Sequence, residues 1–396
     1  MPARTSLKVP TLFVLVCSLL IGCGDDRNKV QPPKDKIADA NTTSEGSDTA
    51  NVEADATDAN KVDMDSYGAV FVSGIDQNVI TNRMESNFNL FFKTVDKSDL
   101  DHFPSAGMLI FKGEGLEEAK YFTGFERRGA TLNILTNPFS MEQTTRNVIG
   151  DVMNDGRAGT VFTKTIEVDG YNGVFYASKE RVGRLDLGTY TIAFGDDNFS
   201  WIVKATFQPE MEMEIGESLL KSVLNARVSQ EPRLPPGEDV DFIVRSEKLK
   251  VVDGFIDKLV LTKDGSFPLN DPVQPIFQIA KGALPDDIKN RKEFASVFLS
   301  PSALFQIDMV SSQKDLKIAG LEGYEFVSLG KDRINGNSIL FYSAVLFDED
   351  GIYVMHGWVG NENAEGEIPV FRQLAESFRK KDGGKVTDEA PEEEAE

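Results

Sequence analysis

The side chains that most often carry out chemistry are scarce in this sequence. Its 396 residues include two histidines, His102 and His356, and two cysteines, Cys17 and Cys23. Zinc sites are usually built from three or four His and Cys ligands, so these counts disfavour them. His356 lies in the strand-like run VMHGW, where we predict a structural role, and His102 lies in DLDHFP, where we predict a surface loop. The sequence thus predicts no metal site and no cofactor.

Motifs for nucleophilic or phosphate chemistry are absent from the sequence. It contains no G-x-S-x-G, H-E-x-x-H or Walker A pattern. Gly113-Glu114-Gly115 begins like a dinucleotide-binding loop but lacks the third glycine, so we predict a turn. Because the chain has 64 Asp and Glu residues, the two opposed carboxylates of a glycosidase remain an open alternative. We predict no catalytic residues and therefore a protein that is not an enzyme.

Two acidic stretches suggest calcium binding at first sight. They are Asp196-Asp197 and Asp348-Glu349-Asp350-Gly351. A calcium loop of the EF type needs several oxygen ligands at regular spacing and a closing glutamate. Neither stretch has that spacing, and both separate strand-like runs. We therefore predict plain hairpin turns.

Cys23 follows a segment typical of secretion. Arg4 and Lys8 precede an apolar run, residues 11–21, which is too short for the roughly 20 residues that cross a bilayer as a helix. This pattern predicts a signal peptide over residues 1–22. The sequence Leu20-Ile21-Gly22-Cys23 resembles the bacterial lipobox. The resemblance implies a diacylglycerol on the Cys23 sulfur; the alternative is an ordinary signal peptide that happens to contain both cysteines.

Polar, acidic segments flank the rest of the chain. Residues 23–67 predict a lipidated, disordered tether and residues 382–396 a disordered acidic tail, because both have few large apolar residues. The formal net charge of −22 disfavours nucleic acids and anionic lipid head groups as partners. We therefore expect attachment to the bacterial membrane through the lipid on Cys23, on the extracytoplasmic side. If the cell has two membranes, the resemblance to bacterial lipoproteins, with Gly24 after the cysteine, implies the outer membrane, facing the periplasm.

The elements between tether and tail repeat. We predict a first domain over residues 68–228, a Pro-rich linker over 229–240 and a second domain over 241–381. Four segments of the first half match segments of the second in the same order: 132–149 with 277–294, 168–178 with 318–328 at an offset of 150, 189–207 with 342–360 at an offset of 153, and the helical run 217–228 with one about 151 residues later.

Local signals place several elements. Ser140 with Gln143 forms a capping box that predicts a helix start, and Pro285 predicts the start of the matching helix in the second half. Apolar residues between Val79 and Val95 predict an amphipathic helix. AGMLIFKG (106–113) predicts a strand.

The order of elements resembles a known family. Each repeat consists of a strand, a helix, strands around a Gly-x-x-Gly turn, a long hairpin and a closing helix, and residues 351–379 resemble the family's ending. This is similar to the PsbP/Mog-like α/β/α sandwich domains. The resemblance implies an α/β (α+β) fold class: two tandem sandwich domains, each a mostly antiparallel sheet with flanking helices. Members of that family include accessory and binding modules.

Two aromatic residues complete the set of candidates. Trp201 and Trp358 lie close to equivalent positions of the repeats, which predicts core packing or, as an alternative, an interaction surface.

The favoured function is a non-enzymatic lipoprotein that binds an unidentified envelope protein or assists complex assembly. The alternative is a small-ligand binder or a carboxylate-based hydrolase with a site between the repeats.

Overall fold

The computed structural model describes residues 67–71, 75–146, 158–182, 185–269, 271, 273–285, 288–299, 305–333, 336–382 and 385–386. The predicted signal peptide, Cys23 and almost all of the predicted tether lie outside these residues, as do residues 387–396 of the predicted tail.

The described chain is rich in strands and contains five helices. The strands are β1 (Asp101–Phe103), β2 (Met108–Ile110), β3 (Glu117–Glu118), β4 (Gly124–Arg127), β5 (Ala130–Asn137), β6 (Ala158–Val168), β7 (Tyr171–Val182), β8 (Leu185–Gly195), β9 (Ser200–Phe207), β10 (Arg227–Val228), β11 (Phe242–Ile243), β12 (Lys250–Val251), β13 (Lys258–Thr262), β14 (Ile276–Gly282), β15 (Phe305–Ile318), β16 (Leu321–Asp332), β17 (Ser338–Phe347), β18 (Ile352–Gly360), β19 (Arg379–Asp382) and β20 (Lys385–Val386). The helices are α1 (Gln77–Phe91), α2 (141–146), α3 (Glu212–Leu224), α4 (Arg291–Ala295) and α5 (Ala364–Glu376).

Two large sheets share one topology. The first has the strand order β3-β4-β5-β9-β8-β7-β6 and the second the order β12-β13-β14-β18-β17-β16-β15. Three-stranded sheets, β1-β2-β10 and β11-β19-β20, complete the described strands. Every strand pairing in the described chain is antiparallel. The predicted α+β class with two antiparallel sheets is confirmed.

Helices cover both faces of each sheet, as in a sandwich. α3 packs on β8 and β9, while Met141 of α2 contacts the apolar cluster on the opposite face. In the second sheet α5 packs on β17 and β18, and α4 with the following 3₁₀ turn covers the other face. The buried residues of α3 recur every three or four positions, as an amphipathic helix requires.

Left-handed backbone at equivalent positions confirms the predicted match of residues 168–178 with 318–328. The hairpin between β6 and β7 turns at Asp169 and Gly170, with φ of 49° and 90°. The hairpin between β15 and β16 turns at Ala319 and Gly320, with φ of 50° and 79°. Two consecutive residues with positive φ are typical of the tight hairpin turn whose twist matches that of its strands. The offset of 150 is therefore correct.

The predicted match of residues 189–207 with 342–360 is wrong by one residue. Ala193 pairs with Ile202 in the first sheet, and Val345 pairs with Val354 in the equivalent place of the second. The offset along these hairpins is thus 152, not 153. The error matters because neighbouring residues of a strand point to opposite faces of the sheet.

Other local predictions divide into confirmed and corrected. The Ser140 hydroxyl accepts the Gln143 backbone N–H at 3.1 Å, so the predicted helix start is confirmed. Pro285 does not begin a helix, because α4 starts after Asn290, whose side chain caps it. His102 lies in strand β1 rather than in a loop. The predicted amphipathic helix ends at Phe91, four residues early.

The described structure continues past two predicted boundaries. Tyr67, placed in the tether by the sequence, donates its hydroxyl to Glu212 at 2.9 Å. At the other end β19 and β20 extend to Val386, within the predicted tail. The side chain of Ile256, from the predicted second domain, packs in the core cluster of the first sheet.

Candidate interaction surfaces

Both tryptophans lie in the cores. Trp201 is 7% exposed and Trp358 is 2% exposed. Trp201 faces the α3 side of its sheet, stacks on Phe194 and donates its indole N–H to the Ala106 carbonyl at 2.8 Å. Trp358 packs with Phe305 and Phe341 on the sheet face opposite α5. Neither side chain offers a surface to a partner in this structure, and the two lie on opposite faces.

His356 occupies a closed polar contact inside the second sheet. Its Nε2 lies 2.7 Å from the Phe298 carbonyl oxygen and its Nδ1 lies 3.2 Å from Gln278 Nε2. Nε2 therefore carries the proton and Nδ1 accepts. Burial lowers the pKa of His356 to about 4, against the opposing effect of the Phe298 hydrogen bond. A neutral imidazole with a hydrogen bond at each ring nitrogen fits the predicted structural role.

A threonine and an aspartate join the two repeats. The backbone N–H and the hydroxyl of Thr123, just before β4, each donate to one carboxylate oxygen of Asp257, both at 2.6 Å. The Asp257 backbone N–H in turn donates to Asp239 Oδ2 at 2.7 Å. Asp257 therefore links the first sheet to the segment that enters the second.

Burial dominates the electrostatics of this link. It raises the pKa of Asp257 to about 6, a shift that the Thr123 hydrogen bonds oppose and the charge of Asp239 reinforces. Burial also lowers the pKa of the adjacent Lys258 to about 8, opposed by the charge of Asp257. Both shifts reflect the cost of removing a charge from water.

Apolar and cationic contacts reinforce the joint. Phe139 packs against Phe267 with ring centroids 5.0 Å apart. The Arg233 guanidinium lies 4.1 Å from the centre of the Phe199 ring and 3.5 Å from Asp253 Oδ2. These contacts tie the predicted linker and both repeats together.

A cleft of about 450 Å³ opens beside the joint, between the repeats. Residues from both sides line it, among them Lys120, Tyr121, Pro285, Arg291 and Asp350. Lys120 Nζ lies 3.2 Å from Asp350 Oδ2, and the Tyr121 hydroxyl donates to the Asp350 carbonyl. Half of the residues that line the cleft are charged.

The acidic hairpin at this cleft is an ion-pair centre. Asp348 pairs with Lys380 at 2.5 Å, and Asp350 lies within 4 Å of both Lys120 and Lys281. Burial alone would raise the pKa of Asp350, but the Lys120 hydrogen bond and the charges of Lys281 and Lys380 hold it below its ordinary value. Among the described residues no group of three or more His, Cys, Asp and Glu is placed to hold a metal ion. Both acidic stretches form the predicted hairpin turns.

The outer edges of the two sheets differ. β6 ends the first sheet, and α1 packs against it: Gln77 Nε2 donates to the Val161 carbonyl at 3.1 Å, and Lys164 pairs with Glu85. β15 ends the second sheet, and its main contacts in the described chain are with the strands β16 and β17. Met309 and Val310 of β15 are 53% and 42% exposed.

Sequence reasoning missed the Thr123–Asp257 joint and the open strand. Asp257 follows Phe255-Ile256 in a chain with many carboxylates, and no local pattern distinguishes it. The pair Met309-Val310 breaks the alternation of a half-buried strand and was the one local signal of the open edge.

Comparison with known proteins finds only distant likenesses of fold. No family model and no curated protein matches the sequence. LpqN, involved in cell envelope biogenesis of Mycobacterium tuberculosis, is 12% identical over 35% of this chain and 81% of its own, with a TM-score of 0.25. Cyanobacterial PsbP (CyanoP) from Synechocystis sp. PCC 6803 is 9% identical over 37% and 97%, with a TM-score of 0.23. The immunity protein TplEi of Pseudomonas aeruginosa is 14% identical over 67% and 96%, with a TM-score of 0.26. At these values none assigns an activity or a partner to this chain.

No helix among the described residues is both long and apolar enough to cross a membrane.

Proposed function

We propose that this chain is a lipid-anchored protein of the bacterial cell envelope that binds another protein, or assists assembly of a complex, without catalysing a reaction. Cys23 carries the lipid, residues 24–66 form the tether, and the two repeats are the binding module. The proposed domains extend from Tyr67 to residue 228 and from residue 241 to Val386, with the linker at 229–240.

The observation that supports binding is the exposure of large apolar side chains on the second repeat. Val297, Met309 and Val310 are 64%, 53% and 42% exposed. Single exposed apolar residues are ordinary, but Met309 and Val310 are adjacent on a strand that is exposed along most of its length. Apolar contact area of this kind favours association with a protein surface.

Crosslinking in intact cells tests the proposal. The full-length chain is crosslinked in place, and adducts are isolated through a tag after residue 396. We expect a discrete protein adduct with the anchored form and a weaker one with Cys23→Ala, which stays uncleaved or leaves the membrane. Failure to recover any protein adduct, with membrane partitioning intact, contradicts the binding role. Unchanged partitioning of Cys23→Ala, without fatty-acid labelling of the parent, contradicts the anchor.

The cleft between the repeats favours a second candidate, a small-ligand site. Lys120 and Arg291 place two cations there, opposite Glu349 and Asp350. A panel of small dicarboxylates and amino acids, tested by thermal unfolding, separates the candidates, since a bound ligand raises the unfolding midpoint. A rise that is lost in Arg291→Ala favours the cleft. No rise with any compound leaves the protein-binding role.

A further inference from the structure

β15 is the outer edge strand of the second sheet. Its counterpart in the first sheet is β6, which α1 covers. We propose that β15 accepts an extended segment of a net-basic partner protein as an additional strand of the second sheet. This inference rests on the proposed function and specifies its surface and its partner.

In the first sheet the equivalent edge strand, β6, is covered by α1 of the same chain. Both edge strands carry a β-bulge at the same place: the register shifts between Thr160 and Phe162 in β6 and between Val310 and Ser312 in β15. In β6 the α1 side chain of Gln77 binds the carbonyl of the bulged Val161. In the described chain no side chain binds the corresponding carbonyl of Ser311.

The second sheet is built to be stable without such a helix. Phe162 and Phe175 pack with Phe88 of α1 in the first core. By the offset of 150 their counterparts are Ser312 and Glu325. Glu325 is 1% exposed and is bound by Arg372, with Nη2 to Oε1 at 2.8 Å. Ser312 and Glu325 are polar where the first sheet has the two phenylalanines that α1 buries. The second sheet therefore needs no helix at this edge.

The backbone of β15 is suited to pairing. From Ser312 to Ile318 it pairs with β16 without a register shift. Because β15 is the last strand of its sheet, its other side pairs with no strand of the described chain. Such an edge offers backbone N–H and C=O groups to an extended segment, and exposed side chains such as Met309 and Val310 give selectivity.

Charge decides the occupant. A second copy of the chain would bring the same net charge of −22 and would be repelled. β15 has a second bulge between Ile307 and Met309, and its two bulges with the exposed Lys314 and Lys317 keep like edges apart. A partner with a net positive charge is attracted instead to the acidic chain. Apolar residues on both faces of its extended segment cover Met309 and Val310, which point to opposite faces of the sheet.

Site-specific photocrosslinking in the full, anchored chain tests this. The photoreactive residue p-benzoylphenylalanine replaces Gln313 in β15. The matched control places it at Thr163 in β6, the equivalent exposed position. We expect an adduct from position 313 at about ten times the yield from position 163. Mass spectrometry of the adduct should map the crosslink to a segment of a net-basic protein that contains apolar residues.

A charge-reversing variant links the adduct to the edge. Met309→Lys with Val310→Lys should lower the yield about tenfold by repelling a basic partner, while Val251→Lys, at an exposed position of β12 on the opposite edge of the same sheet, should leave it unchanged. Equal unfolding midpoints confirm that the variants fold. Adducts to a second copy of this chain, or equal yields at 313 and 163, overturn the proposal. If a probe at Tyr121 gives a protein adduct and the probe at 313 does not, the protein-binding function is supported and the β15 proposal is contradicted. If neither probe gives a protein adduct, the protein-binding function and the β15 proposal are both contradicted.

Discussion

Glu325 occupies in the second sheet the position that Phe175 occupies in the first, because Lys164 pairs with Phe175 and Lys314 pairs with Glu325 in equivalent hairpins. Phe175 is covered by α1 through Phe88. Glu325 is covered instead by Arg372 of α5, whose Nε and Nη2 both bind its carboxylate, with Lys314 Nζ at 3.4 Å. A carboxylate with two cationic partners thus takes the place of an aromatic ring under a helix.

Removing the two partners of this ion pair should have unequal costs. Glu325→Ala should lower the free energy of unfolding by about 1–3 kcal/mol, because Arg372 and Lys314 are partly exposed and turn to water. Arg372→Ala should cost more, about 3–5 kcal/mol, because it leaves the buried Glu325 carboxylate with the more distant Lys314 and the neutral Tyr342 hydroxyl. Urea unfolding followed by tryptophan fluorescence measures both. Glu322→Ala, exposed on the same strand, is the control; an Arg372 effect no larger than that of Glu322 contradicts this account.

Glu212 should hold residues 67–71 on α3. Its buried carboxylate accepts the Tyr67 hydroxyl and the backbone N–H groups of Val70 and Phe71, the latter at 2.6 Å. Glu212→Ala removes the acceptor of the two backbone N–H groups, while Tyr67 keeps its contact with the Tyr190 hydroxyl, and the change should cost about 3 kcal/mol. Hydrogen exchange of residues 67–71 should accelerate. Glu214→Ala, a mostly exposed partner of Arg127, should cost less than about 1 kcal/mol, and equal effects of the two variants would refute the prediction.

Asp257 should make the joint more stable as the pH falls. Its pKa is about 6 in the folded protein and 3.8 as its ordinary value, so the folded state holds the proton more tightly between these values. Relative to Asp257→Asn, the wild type should therefore gain about 2 kcal/mol of unfolding free energy as the pH drops from 6.5 to 4. Urea unfolding of both proteins across this range provides the measurement. A constant difference between them would show that Asp257 has no shifted pKa.

His356 should act in the opposite direction. Its pKa is lowered from 6.5 to about 4 by burial, so the unfolded chain binds the proton more readily between those values. The wild type should lose about 3 kcal/mol relative to His356→Gln as the pH falls from 6.5 to 4. NMR titration of the imidazole checks the pKa directly. An ordinary value near 6.5 would exclude a closed contact with Gln278 and Phe298.

Much of the fold was predictable because its signals are local. The Gly-containing turns at 168–171 and 318–321, the apolar face of α3 and the hydroxyl cap at Ser140 each depend on residues a few positions apart. Repetition along one chain made the shared sheet topology readable without any relative. The hairpin offset was missed by one residue, since both registers preserve a similar pattern of apolar residues along fully buried strands.

What the sequence by itself determined is the pattern of strands and helices, their repetition and the acidic character of the chain, all set by neighbouring residues. The tertiary structure decided which face each side chain occupies, so Trp201 and Trp358 lie on opposite faces despite their similar places in the repeats. It also decided the joint, since Thr123 and Asp257 are 134 residues apart and only packing brings them together. The tertiary structure also decided that the edge of β15 is open. A strand edge is exposed only when no other element packs over it, and the sequence of the strand does not determine that.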